Sequence, residues 1–83
     1  MTIRFHPHAR ERMEERGVTI DEVKAAIEKG EQFPAKFERI GFRRNFSFHK
    51  KWRGKYCSTK QVEAYAVQEG SSWLVITVIT RYF

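Results

Sequence analysis

The chain has 83 residues, which make a single domain that can bury only about 60% of its extended surface on folding. Its 16 Lys and Arg against 10 Asp and Glu give a net charge of +6, which favours polyanions such as RNA, DNA, anionic lipid or an acidic protein. The lone Cys57 excludes an internal disulfide, and the apolar stretch at 74–79 is too short to span a bilayer. We therefore expect one soluble, cytoplasmic domain over residues 1–83.

The first predicted helix covers residues 7–16. Pro7 suits a first helical position, and Gly17 suits the left-handed residue that ends a helix. Only Ala9 and Met13 have the spacing of a buried stripe. We expect this helix to be poorly buried.

A second helix is predicted to start at Ile20 and to stop at Gly30. Thr19 and Glu22 have the spacing of a capping box, in which each side chain binds the other residue's backbone N–H. The two helices would form a helical hairpin at the N-terminal end of the chain.

Beyond Pro34 the apolar residues follow a period of two, as in β-strands. The pattern predicts a strand or a hairpin with a break near Gly41 over 40–48, and strands over 61–68 and 73–83 separated by a turn at 69–72. The segment 49–60 is either a long hairpin loop or the frayed ends of two strands. The element order predicts an α+β fold with the helical hairpin on one face of a three- to four-stranded antiparallel sheet.

Four features of the sequence form a recognisable pattern: H-A-x-x-R-M-x-x-R-G-V-T-x-x-x-V at 8–23, the glycine at 30, K-Q-V-E-A at 60–64 and V-I-T-V-I-T-R-Y-F at 75–83. This pattern resembles a small bacterial family of unknown function that is grouped with the RelE, BrnT and MqsR type of toxin-like ribonuclease. The resemblance implies two helices on a short antiparallel sheet and an RNA-cleaving activity. It implies no metal or nucleotide cofactor.

His8, Arg12 and Arg16 stand four residues apart and form one column along the first helix. Metal-independent RNA cleavage needs a base for the 2′-hydroxyl proton, a cation on the phosphorane and an acid for the leaving oxygen. A histidine can exchange the proton and an arginine can hold the phosphate. The alternative is an ordinary solvated helix face, whose charges are neutralised by neighbouring glutamates.

Two further histidines are alternative acids or bases, although His6 is also placed to cap the first helix and His49 to lie exposed at a strand end. Arg43 and Arg44 alternate faces, so at most one can join Arg12 in a common site. Arg44 interrupts the apolar face, and we expect its stem to be buried under the first helix with the guanidinium beside His8 or Arg12.

The densest basic and aromatic stretch suits phosphate contacts and base stacking, and it comprises Lys50, Lys51, Trp52, Arg53, Lys55 and Tyr56. It would equally suit a solvated hairpin whose Trp52 folds back onto the sheet. Arg81 and Tyr82, at the end of the last strand, point to opposite faces, so only one should reach a cleft on the face away from the helices. Glu63 is expected to be solvated, and Cys57 to be inert.

The leading hypothesis is a toxin-like endoribonuclease or RNA-binding domain. His8, Arg12 and Tyr82 would be catalytic, and RNA would be bound by Arg16, Arg43, Arg44, Lys50, Lys51, Trp52, Arg53, Lys55 and Arg81. The alternative is a non-catalytic adaptor whose basic sheet face binds an acidic, antitoxin-like protein or nucleic acid. In a third reading, Arg12 or Arg16 only locks the helical hairpin onto the sheet.

Overall fold

The computed structural model describes residues 2–83 and contains two helices and one five-stranded mixed sheet. The elements in chain order are β1 (Thr2–Phe5), α1 (Pro7–Arg16), α2 (Ile20–Lys29), β2 (Glu31–Pro34), β3 (Ile40–Trp52), β4 (Lys55–Glu69) and β5 (Ser72–Tyr82). The sheet order is β1-β5-β4-β3-β2, in which β1 runs parallel to β5 and the other neighbours are antiparallel. Neither helix is long and apolar enough to cross a bilayer, so the described residues include no membrane-spanning helix.

Local capping sets the bounds of both helices. At the start of α1 the His6 ring accepts a hydrogen bond from the backbone N–H of His8, and at its end Gly17 takes the left-handed conformation, with φ +68°. The capping box predicted for Thr19 and Glu22 is formed at the start of α2. The predicted α1 and α2 are therefore confirmed.

The sheet differs from the predicted one in strand number and direction. The four-residue strands β1 and β2 were not predicted, and the parallel β1 makes the sheet mixed rather than antiparallel. The expected break near Gly41 is absent, because β3 runs unbroken from Ile40 to Trp52. The segment 49–60 forms the ends of β3 and β4, which are joined by a two-residue turn at Arg53 and Gly54.

The helices cover one face of the sheet, with α1 packed on β5 and α2 packed on β3 and β4. Valines and alanines dominate the buried cluster between the layers, which includes Ala9, Met13, Val18, Val23, Ala26, Ile27, Phe42, Val62, Ala64, Ala66, Trp73, Val75 and Val78. As predicted, Ala9 and Met13 are the buried positions of α1. Both helices pack on that one face, and we call the opposite face of the sheet the open face. The loop at 35–39 lies beside Tyr65, Thr77 and Ile79 and borders a pocket with them.

Candidate functional site

The three members of the predicted column on α1 have different environments. His8 is exposed at the first turn of the helix. The Arg12 guanidinium is 3.1 Å from the Glu15 carboxylate and stays at the surface. Arg16 turns inward, and its Nη1 donates a hydrogen bond of 2.8 Å to the carbonyl of Val78 on β5. Arg16 therefore ties α1 to the sheet.

Tyr82 faces the helices and contacts the end of α1. Its hydroxyl donates a 2.5 Å hydrogen bond to the carbonyl of Arg16, and its ring stacks on Trp52 with 4.2 Å between the ring centroids. Burial raises the pKa of the Tyr82 hydroxyl above its ordinary value. Eight residues of helix correspond to about 12 Å, so Tyr82 and His8 lie at opposite ends of α1. The structure does not bring together the three residues predicted to be catalytic.

Lys60 lies almost completely buried beneath the turn between the helices, a position that the sequence analysis missed. Its Nζ is 2.8 Å from the Glu22 carboxylate, donates to the carbonyl of Gly17 and lies 5.8 Å from the centroid of the Tyr82 ring. The sequence did contain a signal for this burial. Lys60 and Val62 are two residues apart on β4, so their side chains lie on the same face of the sheet. These contacts hold the helical hairpin on the sheet.

Arg43 occupies the open face, where two carboxylates neutralise it. Its Nε is 2.6 Å from the Glu63 carboxylate on β4, and its Nη1 is 3.0 Å from that of Glu31 on β2. The hydroxyl of Tyr65 donates to Glu63, and burial raises the pKa of that hydroxyl. The hydrogen bond to Glu63 raises the pKa of Arg43. Glu63 is 4% exposed, so the expectation of a solvated residue was wrong.

The remaining predicted cations divide between the two faces of the sheet. Arg44 is on the helix side of β3, which packs against α2, and its guanidinium lies over the ring of Phe46. The expectation that it emerges under α1 beside His8 was therefore wrong. Arg81 is exposed and, unlike Tyr82, is on the open face.

The end of the β3–β4 hairpin extends past the rest of the sheet, and we call residues 48–58 the hairpin arm. β5 ends at Tyr82 opposite Lys60, so the arm continues beyond it and contributes to a molecule 41 Å long and about 24 by 22 Å across. A bulge between Ser47 and Lys50 interrupts the pairing of β3 with β4 at the base of the arm. There His49 adopts φ +49°, and its Nδ1 lies 3.1 Å from the hydroxyl of Tyr56.

The hairpin arm carries a cluster of exposed positive charges. Its four cations are all exposed and form no ion pair within the described residues 2–83: Lys50, Lys51, Arg53 and Lys55. Residues 39–62 contain no Asp or Glu, so the sequence supplies no acidic neighbour along the hairpin. Trp52 packs on Tyr82 with the Arg53 guanidinium 5.3 Å from its ring, whereas Tyr56 is 59% exposed. The arm can therefore offer both charge and an aromatic ring to a ligand.

The fold and this surface define a small, basic α+β domain with helices on one face of a mixed sheet and a cationic hairpin arm at its end. The chain belongs to the family described as Domain of unknown function (DUF4258), whose model matches residues 5–80. Comparisons with curated proteins and with solved structures gave no match. The family match carries no link to the RelE, BrnT or MqsR toxins.

Proposed function

We propose that this domain binds RNA and that the hairpin arm is its main contact surface. The observation that carries the proposal is the set of four exposed, unneutralised cations on one short hairpin. Cations held near a polyanion release its condensed counterions, and this release supplies most of the non-specific affinity for nucleic acid. The open face is less suited to this role, because Glu63 and Glu31 already neutralise Arg43.

The aromatic residues of the arm favour single-stranded RNA. A base can stack on the exposed Tyr56, and sequence-tolerant stacking is worth about 1–3 kcal/mol per base. Bases in a duplex are not available for such stacking, so a duplex would use only the cations. The choice of RNA over DNA rests on the resemblance stated from the sequence, to a family that is grouped with toxin-like ribonucleases.

The proposal is tested by fluorescence anisotropy of a labelled single-stranded RNA, titrated with the purified domain at several salt concentrations. Four phosphate contacts predict a slope of log affinity against log salt of about −3, since each contact on a single strand contributes about −0.7. Changing all four arm cations to Gln should remove most of this slope. Absence of binding at low salt by the folded domain would refute RNA binding.

A second quadruple variant controls for net charge. It changes four exposed cations outside the arm to Gln: Arg10, Lys24, Lys29 and Lys36. Both variants lose the same charge, so a general electrostatic attraction would weaken equally in the two. We expect the arm variant to lose far more affinity. Equal losses would show that the arm is not a specific contact surface.

RNA cleavage of the toxin-like type is the second candidate function, and it is supported by the resemblance and by the exposed His8 one helical turn from Arg12. If His8 transfers a proton, His8→Ala should slow cleavage by about 10²- to 10⁴-fold with little effect on binding. Arg12→Ala should weaken cleavage and binding together. Tyr82→Phe should leave cleavage unchanged, because the Tyr82 hydroxyl is engaged at the other end of α1.

These variants should fold, because His8 and Arg12 make few contacts with the core and their loss should change thermal stability little. The substrates should include structured, single-stranded and ribosome-bound RNA. Salt-dependent binding without cleavage by wild type or His8→Ala on any of them would leave RNA binding as the function and reject the enzyme.

A further inference from the structure

The outer edge of β3 is open beyond the short strand β2. β2 pairs only with residues 40–43 of β3, whereas β3 continues to Trp52. Thr59 and Phe83 exchange backbone hydrogen bonds in both directions, which fixes the alternation along β4. With that alternation, the backbone groups of Lys60 and Val62 on β4 point toward β3. They hydrogen-bond with those of Phe46 and Arg44, respectively.

The next positions of β3 consequently direct their backbone groups away from the sheet. These are Asn45 and Ser47, both exposed, and each presents an N–H and a C=O at the outer edge. These four groups extend the row of β3 backbone groups that hydrogen-bond with β2. An extended chain that follows β2 could accept and donate all four hydrogen bonds.

The opposite edge of the sheet is covered over part of its length. β1 pairs with residues 72–75 of β5, and α1 packs against β5. The Arg16 side chain donates a hydrogen bond to the carbonyl of Val78. Native sheets usually cover or charge their edges, since an open edge pairs readily with other chains. Beyond Arg43, the β3 edge carries charge and pairs with no strand of the described residues 2–83.

The side chains along this edge define what could bind there. On the helix side of β3, Phe46 and Phe48 are only partly buried, and each has a cation over its ring. The Arg44 guanidinium is 5.4 Å from the Phe46 centroid, and the Lys50 ammonium is 6.0 Å from the Phe48 centroid. The edge therefore presents two aromatic rings flanked by two positive charges.

We propose that the β3 edge at Arg44–Lys50 binds an extended acidic segment of another protein by strand addition. Backbone bonds to Asn45 and Ser47 would supply affinity, and alternate side chains would supply specificity. Residues facing the helix side would be acidic opposite Arg44 and apolar opposite the two phenylalanines. The bulge between Ser47 and Lys50 ends the regular alternation, and a second acidic residue at that end would meet the Lys50 ammonium beside the Phe48 ring. A second copy of this domain is disfavoured as the occupant, because pairing two β3 edges brings like charges together.

The test uses the whole domain and the synthetic peptide acetyl-Glu-Thr-Val-Thr-Ile-Thr-Glu-amide, which places Glu, Val, Ile and Glu on one face. Amide hydrogen exchange measured by NMR should slow at Asn45 and Ser47 when peptide is added, because their N–H groups become bonded. The peptide with both Glu replaced by Lys is the charge control and should not bind. If the Lys peptide binds as tightly as the Glu peptide, the charge argument is refuted.

Three variants locate the contact. Ser47→Pro removes an outward N–H while leaving the bonds to β4 intact, and it should weaken peptide binding about tenfold. Lys50→Glu reverses an exposed charge and should weaken binding about fivefold. The control Arg10→Glu makes the same charge change on α1, far from β3, and should change affinity less than about twofold.

Specific outcomes overturn the proposal. No slowing of exchange at Asn45 and Ser47 at millimolar peptide would do so, as would equal losses for Lys50→Glu and Arg10→Glu. If these amides are protected without peptide and more strongly at higher protein concentration, a second copy occupies the edge and the proposal is wrong. The exchange measurement on wild type keeps the test decisive even if Ser47→Pro does not fold.

Discussion

Replacement of Arg43 by Met should destabilise the domain strongly, although Arg43 was predicted from sequence to bind RNA. The Glu63 side chain is 6% exposed and that of Arg43 is 38% exposed, so removing Arg43 leaves a buried carboxylate with Tyr65 as its remaining described donor. Breaking a fully buried pair in this way costs about 3–5 kcal/mol. The partial exposure of Arg43 lowers our expectation to about 2–3 kcal/mol.

Replacement of Glu63, the ion-pair partner of Arg43, should lower the free energy of unfolding by less. Glu63→Gln keeps a hydrogen-bond acceptor for Arg43, whose guanidinium retains water and Glu31, and we expect a loss of about 1 kcal/mol. The control Arg81→Met removes an exposed arginine from the same face and should cost less than about 0.5 kcal/mol.

Urea unfolding followed by circular dichroism measures all three variants. A domain of this size has a total stability of about 4–12 kcal/mol, so the loss in Arg43→Met is a large fraction and should lower the melting temperature by about 10–20 °C. The folded variant should retain wild-type RNA affinity. Equal, small losses for Arg43→Met and Arg81→Met, or a larger loss for Glu63→Gln, would refute the reasoning.

Two further predictions concern the contacts that the end of α1 makes with the hairpin arm and with β5. Gly17→Ala should lower the free energy of unfolding by about 1–2 kcal/mol, because Gly17 has a positive φ and an added Cβ would lie 3.2 Å from Trp52. The control Gly70→Ala has a similar φ but open space around it, so it should lower stability less in the same urea assay. Tyr82→Phe should cost about 1 kcal/mol at neutral pH through loss of the bond to the Arg16 carbonyl. Because burial raises the pKa of Tyr82, the folded state holds this proton more tightly than the unfolded state, so its stabilising effect is lost as pH rises above about 10. Thermal unfolding from pH 8 to 11 should show a smaller loss in Tyr82→Phe than in wild type, and identical pH profiles would contradict this assignment.

Local signals were sufficient where the interactions are local. Pro7, Gly17 and the Thr19–Glu22 capping box lie within a few residues of the helix ends that they define, so the sequence alone located both helices. The hairpin turn was missed because both of its residues, Arg53 and Gly54, have positive φ, a conformation usually signalled by Asn or Asp before Gly.

Register and strand order were decided only in the tertiary structure. β1 pairs with a strand about 70 residues away, and four residues have too little pattern to reveal a parallel partner. The pairing of Arg43 with Glu63 depends on the β3–β4 register, so a charge that the sequence assigned to RNA belongs to a partly buried ion pair. The leading hypothesis likewise grouped His8, Arg12 and Tyr82, and Tyr82 lies apart from His8 because its hydroxyl bonds the carbonyl of Arg16 at the other end of α1. The sequence by itself determined the helices, the positive charge and the absence of acidic residues in 39–62, while the packing of distant strands decided which of those charges remain exposed to a ligand.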